Sequence, residues 1–359
     1  MKYLNTVIVG TGSHIPDVVV KNDEFLNQDF YTEKQEKITS TGEKIVRQFH
    51  AITGIEERRY AEDGINTSDI AFFAADEAIK DAKIDPETID QIIVAQNFGD
   101  VEKGGTQSSQ VPSIASRVKH SLKIKNPSCV AYDVVFGCPG WIQAFIQAHA
   151  YIQAGMGKRF LVIGAEALSR VSDKYDRDSM IFADGAGAVV VDAQESDEKK
   201  GFLSYSMQSD TLEEVNYLFS GKTYKLNSKE DTYYIKMQGR KIYEYALLKV
   251  PSAMKLALDR SGYNINDLKK IIIHQANEKM DEAMLNRFYK LYNLENDIPK
   301  DIMPMSIAKL GNSSVATIPT LLDFILKGKY KQHKINEGDI IMFASVGAGM
   351  NINSIIYKA

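Results

Sequence analysis

The stretch Ala78-Ile79-Lys80-Asp81-Ala82-Lys83-Ile84-Asp85, leading to Ile89-Asp90-Gln91-Ile92-Ile93-Val94-Ala95-Gln96-Asn97, decides the fold, because the chain repeats it. Ala257-Leu258-Asp259-Arg260-Ser261-Gly262-Tyr263-Asn264 leads in the same way to Leu268-Lys269-Lys270-Ile271-Ile272-Ile273-His274-Gln275-Ala276, at a constant offset of 179 residues (Ala78 to Ala257, Ile92 to Ile271). Each copy reads as an amphipathic helix, a turn and a short β-branched run. A second echo pairs Phe160-Leu161-Val162-Ile163-Gly164-Ala165 with Ile340-Ile341-Met342-Phe343-Ala344-Ser345, at an offset of 180. That spacing is half of the 359-residue chain. Two α/β halves related by duplication are the simplest account. Helix-strand alternation favours sheets covered by helices, with sites at the C-terminal ends of strands.

Val189-Val190-Val191 reads as the end of a strand, and Gln194-Glu195-Ser196-Asp197-Glu198-Lys199-Lys200-Gly201 as a polar connection. This places the halves at 1–193 and 194–359, although a surface loop within one domain would read the same way. The segment from Asn27 to Lys44 stands apart, polar with charges of both signs. It is either a solvated helical excursion or a loop over a binding mouth.

Composition narrows the function classes. Hydrophobic residues make up 44% and charged residues 25%, ordinary for a soluble globular protein. A net charge of −4 and a pI of about 5.9 argue against nucleic acid as a partner. Two cysteines, Cys129 and Cys138, are too few for a disulfide scaffold and suggest a reducing compartment, with the cytoplasm as the default. No apolar run has the roughly 18 residues of a membrane span, and the N-terminus is too short in apolar residues for a signal peptide. No zinc-ligand or P-loop spacing occurs. Gly10-Thr11-Gly12 begins like a dinucleotide fingerprint, but position 15 is Ile, so that reading is rejected.

The segment richest in chemistry is Tyr132-Asp133-Val134-Val135-Phe136-Gly137-Cys138-Pro139-Gly140-Trp141. A β-branched run ends at glycine, cysteine follows, and a helical pattern runs from Ile142 to Ala154. Cys138 therefore sits at a helix N-terminus, where unpaired N–H groups and the helix dipole favour negative charge. A free thiol with a pKa of about 8.5 is only slightly ionised at neutral pH, so a lowered value is expected here. A buried structural cysteine would fit the same spacing. His274 ends the Ile271-Ile272-Ile273 run of the second half, where the first half has Ala95. Asn312 lies in Lys309-Leu310-Gly311-Asn312-Ser313-Ser314-Val315-Ala316, before a helix expected from Ser313 to Leu326. Either residue could be an ordinary core or turn residue. Brought together, a cysteine, a histidine and an asparagine make a nucleophile with two polar partners. Two glycine segments, Ala183-Asp184-Gly185-Ala186-Gly187-Ala188 and Val346-Gly347-Ala348-Gly349-Met350, allow close backbone approach. Tight strand packing is favoured for the first of them.

Together these motifs, with Ile15-Pro16 and Thr53-Gly54-Ile55-Glu56-Glu57-Arg58, resemble β-ketoacyl-acyl-carrier-protein synthase III, a family of the thiolase superfamily of condensing enzymes. The resemblance covers essentially the whole chain. It implies a thiolase-like fold of two duplicated α/β halves layered αβαβα. It implies Cys138 as the acyl-accepting nucleophile, the N–H groups of Cys138 and Ala348 as the oxyanion hole, and His274 with Asn312 as the pair polarising a malonyl thioester. It implies no metal or redox cofactor. The partners it implies are acyl-coenzyme A or acyl-carrier protein, malonyl-carrier protein and a second copy of the chain. Arg177, Lys279 and Val111 match positions that contact the coenzyme, the carrier protein and the neighbouring subunit's acyl pocket. Gln48 stands where the family's priming enzymes have a tryptophan, and the only tryptophan here is Trp141. A longer acyl chain or a carrier-protein donor is therefore an open alternative to acetyl-coenzyme A. So is a specialised condensing or cyclising role in secondary metabolism, of the dialkylresorcinol or quinolone kind. A non-catalytic subunit, as in heterodimeric pairs where one chain lacks the cysteine, is a further alternative, against which stand Cys138, His274 and Asn312, all present here.

Overall fold

The computed structural model describes residues 2–229 and 231–359. The first half of the chain carries β1 (Tyr3–His14), β2 (Val18–Lys21), α1 (Gly42–Thr53), β3 (Glu57–Tyr60), α2 (Thr67–Ala82), β4 (Gln91–Ala95), α3 (Ile114–Ser121), β5 (Val130–Val134), α4 (Gly140–Gln153), β6 (Arg159–Ala167) and β7 (Asp184–Ser196). The second carries β8 (Gly201–Ser209), β9 (Leu218–Lys222), β10 (Tyr233–Met237), α5 (Gly239–Ser261), β11 (Leu268–Ile273), α6 (Glu278–Lys290), α7 (Ile307–Leu310), α8 (Thr317–Leu326), β12 (Ile340–Gly347) and β13 (Asn351–Lys358).

The repeat is visible in the strand order, β11-β12-β13-β8-β1-β7-β6-β4-β5. Reading outward from the middle, β1-β7-β6-β4 and β8-β13-β12-β11 pair with the same senses: antiparallel, antiparallel, parallel. The two sets touch through a single pairing, Thr6 with Gly201. Beyond β11, where the first half has β5, the Ile302 carbonyl accepts the Ile271 N–H at 2.8 Å. The expected boundary at 193/194 falls inside β7, which runs on to Ser196. Only residues 197–200 separate it from β8. Arg159 on the neighbouring β6 clamps Asp192, which keeps this polar end of the strand in the sheet.

Alternation along the strands builds the layers. Ile93, Phe160, Val162, Val189 and Val191 face a core formed with α4 and α8. Their neighbours Ile92, Val94, Leu161, Ile163 and Val190 face the opposite way, against α2 and α3. In the second half, Ile272, Ile341 and Phe343 join the central core, while Ile271, Ile273 and Met342 pack on α5 and α6. Five layers result, with α4 and α8 between the two sheets. Trp141 is buried in the central layer, its ring centroid 5.7 Å from those of Phe145 and Phe343. Gly10 and Gly12 are packing devices: a Cβ at Gly12 would lie 2.3 Å from the Ala74 carbonyl oxygen of α2. Gly187 does the same against α8, where a Cβ would lie 2.5 Å from the Thr320 nitrogen.

The polar segment Asn27–Lys44 is a docked loop. Phe30 is buried in a small cluster with Ile45, Phe49 and Met180. The Tyr31 N–H donates to the Tyr175 carbonyl at 2.8 Å, and Thr41 caps α1. The loop thus sets the position of α1, which contributes to the wall of the main cavity.

Candidate active site

Cys138 lies between the end of β5 and the start of α4, with Pro139 as the N-cap. Gly137 reaches φ +70°, and a Cβ there would lie 2.6 Å from the Ala348 nitrogen. A Cβ on Gly347 would lie 2.5 Å from the Cys138 nitrogen. The turn before the cysteine and the turn after β12 are therefore interlocked backbone to backbone. This brings the amides of Cys138 and Ala348 to the same place. Only glycine permits that approach.

The expected lowering of the Cys138 pKa does not hold. Burial pushes the thiol up to about 11, against an opposing hydrogen bond from Ser314. Glu166 adds to the rise once it is ionised. The sulfur lies at the foot of a cleft walled by protein, and loss of hydration there outweighs the dipole of α4. Cys129, the other thiol, is buried behind α3 and also raised by burial.

His274 follows β11 and is 4% exposed. Its N–H donates to the Ala344 carbonyl at 2.9 Å. Burial pushes the imidazole down to about 4, so the ring is neutral at physiological pH. A backbone group of Ser314 bonds the ring, and Nδ1 has no protein partner among the described residues. Asn312 is held by backbone bonds to Ile181 and Ala183 at 3.0 and 2.8 Å. Its Oδ1 accepts the Ser314 N–H at 2.8 Å, which leaves Nδ2 as the free donor. The helix expected from Ser313 begins instead with a single 3-10 turn, Ser314–Ala316, before α8.

Two cavities meet at Cys138. The larger, about 700 Å³, is lined by His274, Asn312 and Phe49 inside, and by Gln48, Arg177 and Lys279 among others. The smaller, about 350 Å³, is lined mainly by apolar groups, including Phe98, Val135, Phe136 and Phe219. Cys138 and Ser314 line both. Arg177 lies 3.9 Å from Asp178, whose carboxyl burial pushes up to about 6. Val111 belongs to neither cavity. It is 90% exposed, on the loop beside α3. Among the described residues no cluster of His, Cys, Asp or Glu could hold a metal ion, and no helix is long and apolar enough to cross a membrane.

The sequence reading missed three groups. Ser314 donates its hydroxyl to the Cys138 sulfur at 3.4 Å. Asn97 accepts the Gly137 N–H at 2.8 Å and donates to Glu166 at 2.5 Å. Ser314 and Asn97 stand inside motifs quoted above, but nothing in their spacing marks them as partners of the cysteine.

A duplicated, five-layered α/β fold with a cysteine at the N-terminus of a central helix, facing histidine and asparagine from the other half, defines a thiolase-fold condensing enzyme. Known proteins agree with that class. Residues 132–211 match the family described as 3-oxoacyl-[acyl-carrier-protein] synthase III, and residues 258–359 match its C-terminal part. The chain is 32% identical over 360 residues to β-ketoacyl-[acyl-carrier-protein] synthase III of Cereibacter sphaeroides, covering 99% of both chains. It is 33% identical over 356 residues to the same enzyme of Oceanobacillus iheyensis, again covering 99% of both. The crystal structure of 3-oxoacyl-[acyl-carrier-protein] synthase III from Aquifex aeolicus superimposes with a TM-score of 0.77 at 29% identity, covering 99% of this chain and 100% of that one. The chain belongs to the 3-oxoacyl-[acyl-carrier-protein] synthase III family of acyl-transferring condensing enzymes.

Proposed function

We propose that the protein is a decarboxylating ketosynthase that accepts an acyl group on Cys138 and condenses it with a malonyl carrier-protein thioester, whose carboxylate leaves as carbon dioxide. The observation that carries this reading is the meeting of two cavities at one sulfur, the larger of which carries His274 and Asn312 beside Cys138 and has Arg177 and Lys279 on its lining. In the reaction, the Cys138 thiolate attacks the acyl thioester carbonyl, and the oxyanion lies between the N–H groups of Cys138 and Ala348. The carrier thiol leaves with a proton. The malonyl thioester then loses carbon dioxide, and its enolate oxygen is held by His274 and Asn312. The carbanion attacks the acyl-Cys138 carbonyl, and the cysteine sulfur departs as the new carbon–carbon bond forms. Two aimed donors suit that enolate, since one such donor typically contributes about 10²–10³ in rate. No step calls for a metal or redox group. On this reading residues 1–193 supply the nucleophile and 194–359 supply His274 and Asn312.

Arg177 and Lys279 on the larger cavity suit the phosphates of coenzyme A or of a carrier protein's phosphopantetheine. Gln48, exposed beside them, offers no ring for an adenine to stack on, which favours a carrier-protein donor or a longer acyl chain. A second copy of the chain is supported by exposed apolar groups along one edge. Val111 is 90%, Val135 62% and Val130 54% exposed, and Val135 also lines the apolar cavity.

Intact-protein mass after incubation with a panel of acyl thioesters tests the reading. One acyl group should add to the wild-type chain, and the mass names the primer. Cys138→Ala should gain none while keeping some malonyl decarboxylation. A covalent acyl-enzyme formed by that variant would sink the assignment.

A further inference from the structure

Seven non-glycine residues have positive φ among the described residues: Gln35, Lys83, Lys123, Asn227, Asn293, Ser314 and Met350. The first five are exposed. Ser314, at φ +53°, and Met350 are buried, and both lie on segments that wall the Cys138 cleft. A serine has no intrinsic preference for the left-handed region. Such strain persists where the surroundings over-determine it, and it clusters at reactive sites.

Three contacts converge on Ser314. Its hydroxyl donates to the Cys138 sulfur at 3.4 Å. Its N–H donates to Asn312 Oδ1 at 2.8 Å. Its backbone also bonds the His274 ring. Among the described residues no hydrogen bond joins Cys138, His274 and Asn312 to one another, so Ser314 is the piece they share. The N–H bond also decides the orientation of the Asn312 amide. With Oδ1 committed to it, the Nδ2 group must be the one offered to a ligand. Around the sulfur the Cys138 backbone also favours an anion, but the neighbouring side chains His274 and Glu166 do not. His274, on the β11 side, is neutral, and Glu166 on β6 opposes negative charge once it is ionised. A hydroxyl donor is worth more to a thiolate than to a thiol.

We propose that Ser314 is a fourth member of the site: its hydroxyl stabilises the Cys138 thiolate when it forms, and its left-handed backbone sets the Asn312 amide. The proposal rests on Cys138 being the nucleophile of the reaction above. It is separable from that reaction, because the thiol can be titrated without any acyl thioester.

The test is the pH dependence of iodoacetamide alkylation at Cys138 in the full-length protein, read by peptide mass, with Cys129 as the internal control. Ser314→Ala should raise the alkylation midpoint by about 0.5–1 pH unit, which slows alkylation below the midpoint roughly 3–10-fold. Cys129 should not change. Ser314→Gly should give the same shift with a Tm no lower than wild type, because glycine adopts the left-handed region freely. It also supplies a folded variant if Ser314→Ala fails to fold. A midpoint that coincides with wild type in either folded variant overturns the proposal. Failure of wild-type Cys138 to take any acyl group would overturn the proposed reaction instead, whatever the alkylation shows.

Discussion

The side-chain oxygen of Asn97 accepts the N–H of Gly137 at 2.8 Å and so fixes the left-handed turn that delivers Cys138. The other end of the same amide donates to Glu166, a buried carboxyl on β6. Burial pushes Glu166 up to about 8 from an ordinary value of 4.5. At neutral pH it is mainly an uncharged acid, which keeps a negative charge away from the sulfur.

Glu166→Gln should therefore be tolerated, and its advantage should grow with pH. A carboxyl whose folded pKa is raised contributes stability below pH 4.5 and loses it as the pH rises towards 8. Glutamine keeps the acceptor for Asn97 and escapes that loss. At about 1.4 kcal/mol per unit, the difference between variant and wild type should reach a few kcal/mol at pH 8.5 and shrink at pH 5. Thermal unfolding at the two pH values checks this. An equal difference at both would reject it.

Gly347→Ala should damage the site through backbone alone. The added Cβ would lie 2.5 Å from the Cys138 nitrogen and 2.9 Å from its Cβ. The two interlocked turns must separate, and the Cys138 and Ala348 N–H groups proposed to bind the oxyanion must shift with them. Acylation measured by intact mass should slow by about 10²-fold or more, the loss expected when an oxyanion donor is misplaced. Acylation at the wild-type rate would show that these amides do not bind the oxyanion.

His274→Ala should spare acylation of Cys138 and cut malonyl decarboxylation by about 10²–10³. The two steps are read separately, by protein mass and by carbon dioxide release. Because burial holds the imidazole down to about 4, this residue should put no inflection in the condensation rate between pH 6 and 8. A base whose folded pKa is depressed contributes stability above pH 6.5 and loses it as the pH falls towards 4. The Tm of His274→Ala should fall less than that of wild type between pH 7 and 5.

Lys236→Met should loosen one wall of the apolar cavity. Lys236 is fully buried, 2.6 Å from Asp173 and 3.1 Å from Asp176, with its ammonium over the Tyr224 ring. Removing the cation leaves two buried carboxylates to neutral donors, the Thr223 hydroxyl and the Tyr175 and Tyr224 N–H groups on Asp173 and the Asp178 N–H on Asp176, at a cost of about 3–5 kcal/mol. Lys236 ties down the β9–β10 hairpin, which supplies Leu218, Phe219 and Ile235 to the cavity. Limited proteolysis should cut within residues 210–237 in the variant and not in wild type, and the Tm should fall. Equal protection in both would show that the hairpin is held by other contacts.

The sequence by itself determined the duplicated halves, because a helix-turn-strand unit writes its period into the order of apolar residues. The offset of 179 residues between Ile92 and Ile271 maps β4 onto β11, one strand in the same place of each set. It also placed Cys138 between strand and helix, since a β-branched run, a glycine and a helical pattern fix that local geometry without tertiary help. The close packing of Gly187 was legible for the same reason, as a small residue within a strand pattern.

Only the tertiary structure decided the chemistry around the sulfur. The helix N-terminus that promised a lowered thiol pKa is a local feature. The burial that raises it to about 11 needs the assembled cleft, which includes segments more than a hundred residues away, around Ser314 and Ala348. Asn97 and Glu166 meet across 69 residues, and Ser314 and Cys138 across 176. Val111 is outside both cavities of its own chain, which no local pattern reveals. Periodicity records which face of an element is apolar. Desolvation and hydrogen bonding depend on which faces meet, and folding alone brings those together.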